Sequence, residues 1–293
     1  MRKYALLLTV LALALLVAVG GYFAWSQHEV STIASTPVAA IRAAPPVVSP
    51  PAEPSVKYPL PDLAGARQEP LPGPGGMNAF ISAMLTEMLG SSAVQSMLQT
   101  DDFVRRVVVT VDNLGREHAA KMLWPVNPTP GRFLVDEGKG LAFINPGNSR
   151  RYLPFVRLIE SVDLDRAMVL YVSHYPSLQR AYEDLGYPGR YFNDRVVEVV
   201  DSMLAAPAPI DAVGVRITEV KGPVKLSRPW LHYDYADGDL QKMPAGQKLL
   251  VRLGLENEKR IKARLRELRR LLTSKESPRN EAMGGSGKAG AAP

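Results

Sequence analysis

The stretch LDRAMVLYVSHYPSLQRAYEDL, residues 164–185, decides the fold. Leu164, Met168, Tyr171, Tyr175, Leu178, Tyr182 and Leu185 recur at steps of four and three, which places them on one face of an α-helix. Pro176 stands inside that run. A proline there removes one N–H donor and crowds the carbonyl four residues earlier, so the pattern predicts one helix kinked at Pro176. An apolar stripe of this length has to be covered by other elements, which makes it the expected central core helix. Gly186-Tyr187-Pro188-Gly189 ends it.

The flanking sequence is also mostly helical in period. Tyr152, Phe155, Val156, Ile159 and Val162 mark a preceding helix. Before it, Gly131-Arg132-Phe133-Leu134-Val135, a turn at Gly138-Lys139-Gly140, and Leu141-Ala142-Phe143-Ile144 predict a β-hairpin. Val104, Val107, Val108, Val111 and Leu114 fall at helical spacing; Val107-Val108-Val109 would also suit a strand, and the helix is favoured. Residues 78–89 form a helix stopped by Gly90, and Ser91 or Ser92 caps a short one. Asp101-Asp102 and Asp163-x-Asp165 read as caps, placed where the helix dipole favours negative charge. On the carboxyl side, Asn193 or Asp194 starts a helix through Val196, Val200 and Leu204 that Pro207 and Pro209 close. Short strands are expected in 215–220 and 224–235, and final helices in 244–253 and 256–272. The expected fold class is mainly α, an α+β domain with a small antiparallel β element.

Outside residues 77–272 the composition changes. Residues 5–25, ALLLTVLALALLVAVGGYFAW, carry no charge and at about 1.5 Å per residue can cross roughly 30 Å of hydrocarbon. The run is longer than a usual signal-peptide core, and Tyr22 and Trp25 suit an interfacial belt, so a transmembrane helix is expected. Arg2 and Lys3 precede the span and no basic residue follows it until Arg42. That asymmetry keeps residues 1–4 in the cytoplasm and sends the remainder to the periplasmic side of an inner membrane. Residues 26–76 hold 11 of the 25 prolines and read as a disordered linker. Residues 273–293 run into Gly284-Gly285-Ser286-Gly287 and read as a disordered tail.

The chain of 293 residues has no cysteine and only four histidines, His28, His118, His174 and His232, far apart in sequence. Thiolate chemistry, disulfides, cysteine zinc sites and iron–sulfur clusters are excluded. No G-x-S-x-G elbow, H-E-x-x-H helix, phosphate-binding Gly-rich loop or calcium loop occurs. His174, beside the apolar stripe, reads as a structural histidine. No enzyme activity, cofactor or metal is expected; an envelope-polymer hydrolase or transferase is the rival class, and it would need two acids, or a histidine and an acid, in one deep pocket.

Two regions could bind a partner. Residues 256–275 hold eight Lys or Arg against three Glu, which accounts for most of the chain's net charge of +6. Ile261, Leu265, Leu268 and Leu272 form a narrow stripe that packs on the core, leaving Arg266, Arg269 and Arg270 as a solvated basic face for anionic lipid headgroups or an acidic envelope protein. The turn Tyr187-Pro188-Gly189-Arg190-Tyr191-Phe192-Asn193-Asp194-Arg195 alternates aromatic, cationic and short polar side chains. Arg190, Tyr191, Asn193 and Asp194 are its binding candidates, with Asp194 read equally as a helix cap. Asp112 and Asn113 at a helix end, and Arg132 at the start of the hairpin, are similar in type. Nucleic acid is not an expected partner on the far side of the membrane.

Val108-Val109-Thr110-Val111-Asp112-Asn113-Leu114, Gly131-Arg132-Phe133, Leu185-Gly186-Tyr187-Pro188, Asn193-Asp194, Tyr235-Ala236-Asp237, Gly246-Gln247-Lys248-Leu249-Leu250 and Arg252-x-Gly254 together resemble an uncharacterised bacterial envelope family, domain of unknown function 3014. The resemblance covers residues 78–272, with a departure in 205–224. It implies one amino-terminal span and a proline-rich spacer, and it adds no catalytic residue. The expected protein is a single-pass inner-membrane protein whose periplasmic domain acts as a binding or scaffolding module.

Overall fold

The structure is a computed structural model; it describes residues 56–63, 66, 72–138, 140–208, 212–218 and 232–274. The expected span at 5–25, most of the linker and nearly all of the tail lie outside the described residues. Among the described residues no helix is long and apolar enough to cross a membrane.

In chain order the elements are α1 (Pro74–Leu89), α2 (Ser91–Met97), α3 (Phe103–Leu114), β1 (Val135–Glu137), β2 (Ala142–Ile144), α4 (Asn148–Ser161), α5 (Leu164–Asp184), α6 (Phe192–Leu204), β3 (Gly214–Ile217), β4 (Tyr233–Tyr235), α7 (Gly238–Lys242), α8 (Ala245–Leu253) and α9 (Leu255–Thr273). The fold is mostly helical with one small antiparallel four-stranded sheet ordered β1-β2-β3-β4. The hairpin register pairs Val135 with Ile144 across a turn at Gly138 and Gly140, and Val215 pairs with Ala142 on one side and Tyr235 on the other.

α5 runs unbroken through Pro176, with Leu164, Met168, Tyr171, Tyr175, Leu178 and Tyr182 all buried. Pro176 itself is exposed, so the lost hydrogen bond falls on the watery side of the helix, where the orphaned carbonyl can be hydrated. α3 packs on α5 and α6, α9 packs on α4 and α6, and α8 fills the space where α3, α4, α6 and α9 meet. Ile261, Leu265, Leu268 and Leu272 of α9 are buried in that core, each fully buried Leu stabilising the fold by roughly 1.5–3 kcal/mol. The valine run 107–109 is helical, because Val107, Val108, Val111 and Leu114 bury one α3 face and leave no strand partner. Gly254 breaks α8 from α9 at φ +83, a left-handed backbone that favours glycine.

Three local readings of the sequence are corrected. Asp163 caps α5 by accepting from the Arg166 N–H, but Asp102, at φ +48, makes no side-chain cap bond. Asp101 and Asp102 pair instead with Arg106 and Arg105 on the first turn of α3. At α6 neither Asn193 nor Asp194 is the cap: the helix starts at Phe192, and both side chains point to another part of the chain. The boundary expected at residue 77 falls too late, since α1 begins at Pro74 and residues 56–63 lie against the domain with Pro61 and Leu63 buried. Low apolar periodicity hid this contact, because an extended strap needs backbone hydrogen bonds and two anchors rather than a periodic stripe.

Candidate binding site

At the end of α3, Asp112 is held at 9% side-chain exposure by groups from three parts of the chain. Arg195 of α6 donates from Nε to Asp112 Oδ1 at 3.2 Å and from Nη2 to its backbone carbonyl at 2.8 Å. Arg116 donates from Nε to Oδ2 at 3.0 Å, and the Tyr187 hydroxyl donates to the same oxygen at 3.2 Å. Arg116 also donates to Tyr187. The Tyr187 ring stacks on Tyr182 of α5 with centroids 4.6 Å apart. This node therefore fixes the turn after α5 and the start of α6 against α3. Asp112 and the turn, both expected to bind a partner, are joined here by Arg116, Tyr187 and Arg195, which are not among the expected binding residues. An acidic residue and two arginines separated by four and 83 residues give no local signal of a shared site.

The turn is also sewn to α5 by Gln179, which donates to the Arg190 carbonyl at 2.7 Å and accepts the Phe192 N–H at 2.8 Å. Tyr175 donates to the same Gln179 oxygen at 2.9 Å. Arg190 itself is exposed.

Beside this node, Asn193 and Asp194 hold residues 57–60. Asp194 accepts the Lys57 N–H at 3.1 Å and the Tyr58 N–H at 2.7 Å, one on each carboxylate oxygen. Asn193, fully buried, donates from Nδ2 to the Tyr58 carbonyl at 2.8 Å. Its own Oδ1 accepts the Tyr171 hydroxyl at 2.9 Å, and its backbone N–H donates to the Tyr175 hydroxyl at 3.0 Å. Burial raises the Tyr171 hydroxyl well above its ordinary value and raises Tyr175 too, so both stay protonated at physiological pH and orient the asparagine as neutral groups. Turning the amide over would set its oxygen against the Tyr58 carbonyl, so the strap fixes the orientation. With the strap in place, both ends of the buried amide are paired.

The other candidates are placed differently. Asn113 is half-buried, and its carbonyl accepts the Arg116 N–H at 3.0 Å. Arg132 is exposed in a turn that Arg151 of α4 fastens by donating to the Pro130 and Gly131 carbonyls at 3.2 and 2.9 Å.

The basic face of α9 is mostly tied down. Arg260 pairs with Glu160, Lys262 with Glu258, Arg264 with Glu267 and Arg269 with Asp201. Arg269 is thereby removed from the expected solvated set, while Arg266 and Arg270 are exposed and no ion pair among the described residues engages them. Arg269→Gln should weaken the α6–α9 contact by up to about 1 kcal/mol, as for other part-exposed pairs, while Arg266→Gln with Arg270→Gln should leave chemical denaturation unchanged. Among the described residues no group of three His, Asp or Glu side chains could hold a metal ion.

The fold and this site define a mostly helical domain that grips an extended segment of its own chain through main-chain hydrogen bonds. The chain belongs to the family described as protein of unknown function (DUF3014), whose model matches residues 103–269. Asp112, Asn193, Asp194 and the tyrosines that orient them lie inside that match, and the strap lies outside it. No curated protein and no solved structure matches the chain.

Proposed function

We propose that this chain is a single-pass inner-membrane protein, amino terminus cytoplasmic, that presents a periplasmic binding or scaffolding domain. The observation that supports a binding role is the clamp: Asp194 and the buried Asn193 bond the backbone of residues 57–58 rather than their side chains. Topology rests on the uncharged run at 5–25 and on Arg2 and Lys3 before it. Because the strap docks on the domain, the spacer shortens to residues 26–55, which reaches about 90 Å when fully extended at about 3.1 Å per residue. The partner is an envelope protein or anionic lipid headgroups, the latter met by exposed Arg266 and Arg270.

A β-lactamase fused after residue 40 should protect cells from ampicillin. A photo-crosslinking side chain at exposed Arg190 or Arg270 should yield a discrete adduct with an envelope component. Reporter activity on the cytoplasmic side would overturn the localisation. Absence of an adduct at both positions would overturn the binding role.

A further inference from the structure

We propose that the clamp formed by Asn193 and Asp194 is a recognition site for extended, proline-interrupted peptide segments, with residues 57–63 as its built-in occupant. The bonds follow the main chain in order. Two consecutive N–H groups, from Lys57 and Tyr58, reach the two oxygens of Asp194, and the Tyr58 carbonyl receives the Asn193 amide. Pro59, which has no N–H to place, occupies the next position. Pro61 and Leu63 are the buried anchors, whereas the Lys57 side chain is exposed and is not read. A chain that presents two free N–H groups, a carbonyl and then a proline, with apolar side chains at the places of Tyr58, Leu60, Pro61 and Leu63, can repeat this pattern. A proline-rich chain suits it, since its backbone is extended and unpaired before it binds.

The receiving side is rigid. Asn193 is locked by Tyr171 and Tyr175 and aims its amide at the strap from a fully buried position. Such preorganisation lowers the ordering cost of binding. The strap is tethered to the domain it occupies, which gives it a millimolar effective concentration, so a ligand in trans has to displace it. The strap thus acts as a competitor that sets the threshold for binding.

The inference deepens the binding-module reading and rests on it, yet the two fail separately: the crosslink at Arg270 does not depend on peptide binding. The test uses a fluorescent peptide of residues 55–63 and the full chain carrying Lys57→Pro with Tyr58→Pro. These changes delete both strap N–H donors and leave every clamp side chain in place. Anisotropy should show the peptide binding this variant roughly tenfold or more tightly than the wild-type chain. Adding Asp194→Ala, which removes both acceptor oxygens, should abolish binding, and a peptide with the same two prolines should not bind. A second arm uses the wild-type chain, in which excess peptide should speed proteolysis within residues 56–63. No binding to the double-proline variant together with no change in that proteolysis would overturn the proposal, as would binding that Asp194→Ala leaves intact.

Discussion

Replacing Leu265 by alanine should destabilise the domain by about 2–5 kcal/mol, the range for emptying a buried leucine site that cannot fully collapse. Leu265 has no solvent exposure and lies on α9, which packs against both α4 and α6. Domains of this size have a total stability of about 5–15 kcal/mol, so the loss is a large share of it. Urea denaturation of the full chain would show it as a lower midpoint at unchanged slope. Leu268, equally buried, should behave alike. A cost under about 1 kcal/mol at both positions would mean that the stripe is not core.

Asp112→Ala should cost about 3 kcal/mol, the low end for breaking a buried ion pair. Arg195, at 15% side-chain exposure, keeps the Asp112 backbone carbonyl and Glu198 as partners, which is why the effect stays near that end. Tyr187 and Arg116 lose their shared acceptor at the same time. A double-mutant cycle with Arg195→Ala should show a coupling of about 0.5–3 kcal/mol. Strict additivity would show that α3 and α6 are held by packing alone.

The helices were legible because their signal is local and periodic. The repeat through Tyr171, Tyr175 and Leu178 predicts α5, and the stripe from Ile261 to Leu272 predicts the buried face of α9. The hairpin was legible from the Gly138 and Gly140 turn, but the docking of β3 onto β2 joins residues 71 or more apart and leaves no local trace. The site was half legible. Asn193 and Asp194 stand out as short polar residues in an aromatic turn, but Asp194 satisfies cap and clamp rules equally well from sequence. Its true partners lie 136 and 137 residues away. The charges of α9 misled for a similar reason: Glu160 and Asp201, which neutralise Arg260 and Arg269, come from other helices.

Amide hydrogen exchange at Lys57 and Tyr58 in the full chain tests most directly that the domain grips its strap. Both amides donate to Asp194, so they should exchange at least roughly tenfold more slowly than in a free peptide of the same sequence, as expected for hydrogen-bonded groups that exchange only on local opening. Asp194→Ala, which removes both acceptor oxygens, should restore the free-peptide rate at both positions while the amides of α5 stay protected. Free-peptide exchange at Lys57 and Tyr58 in the wild-type chain would contradict the account.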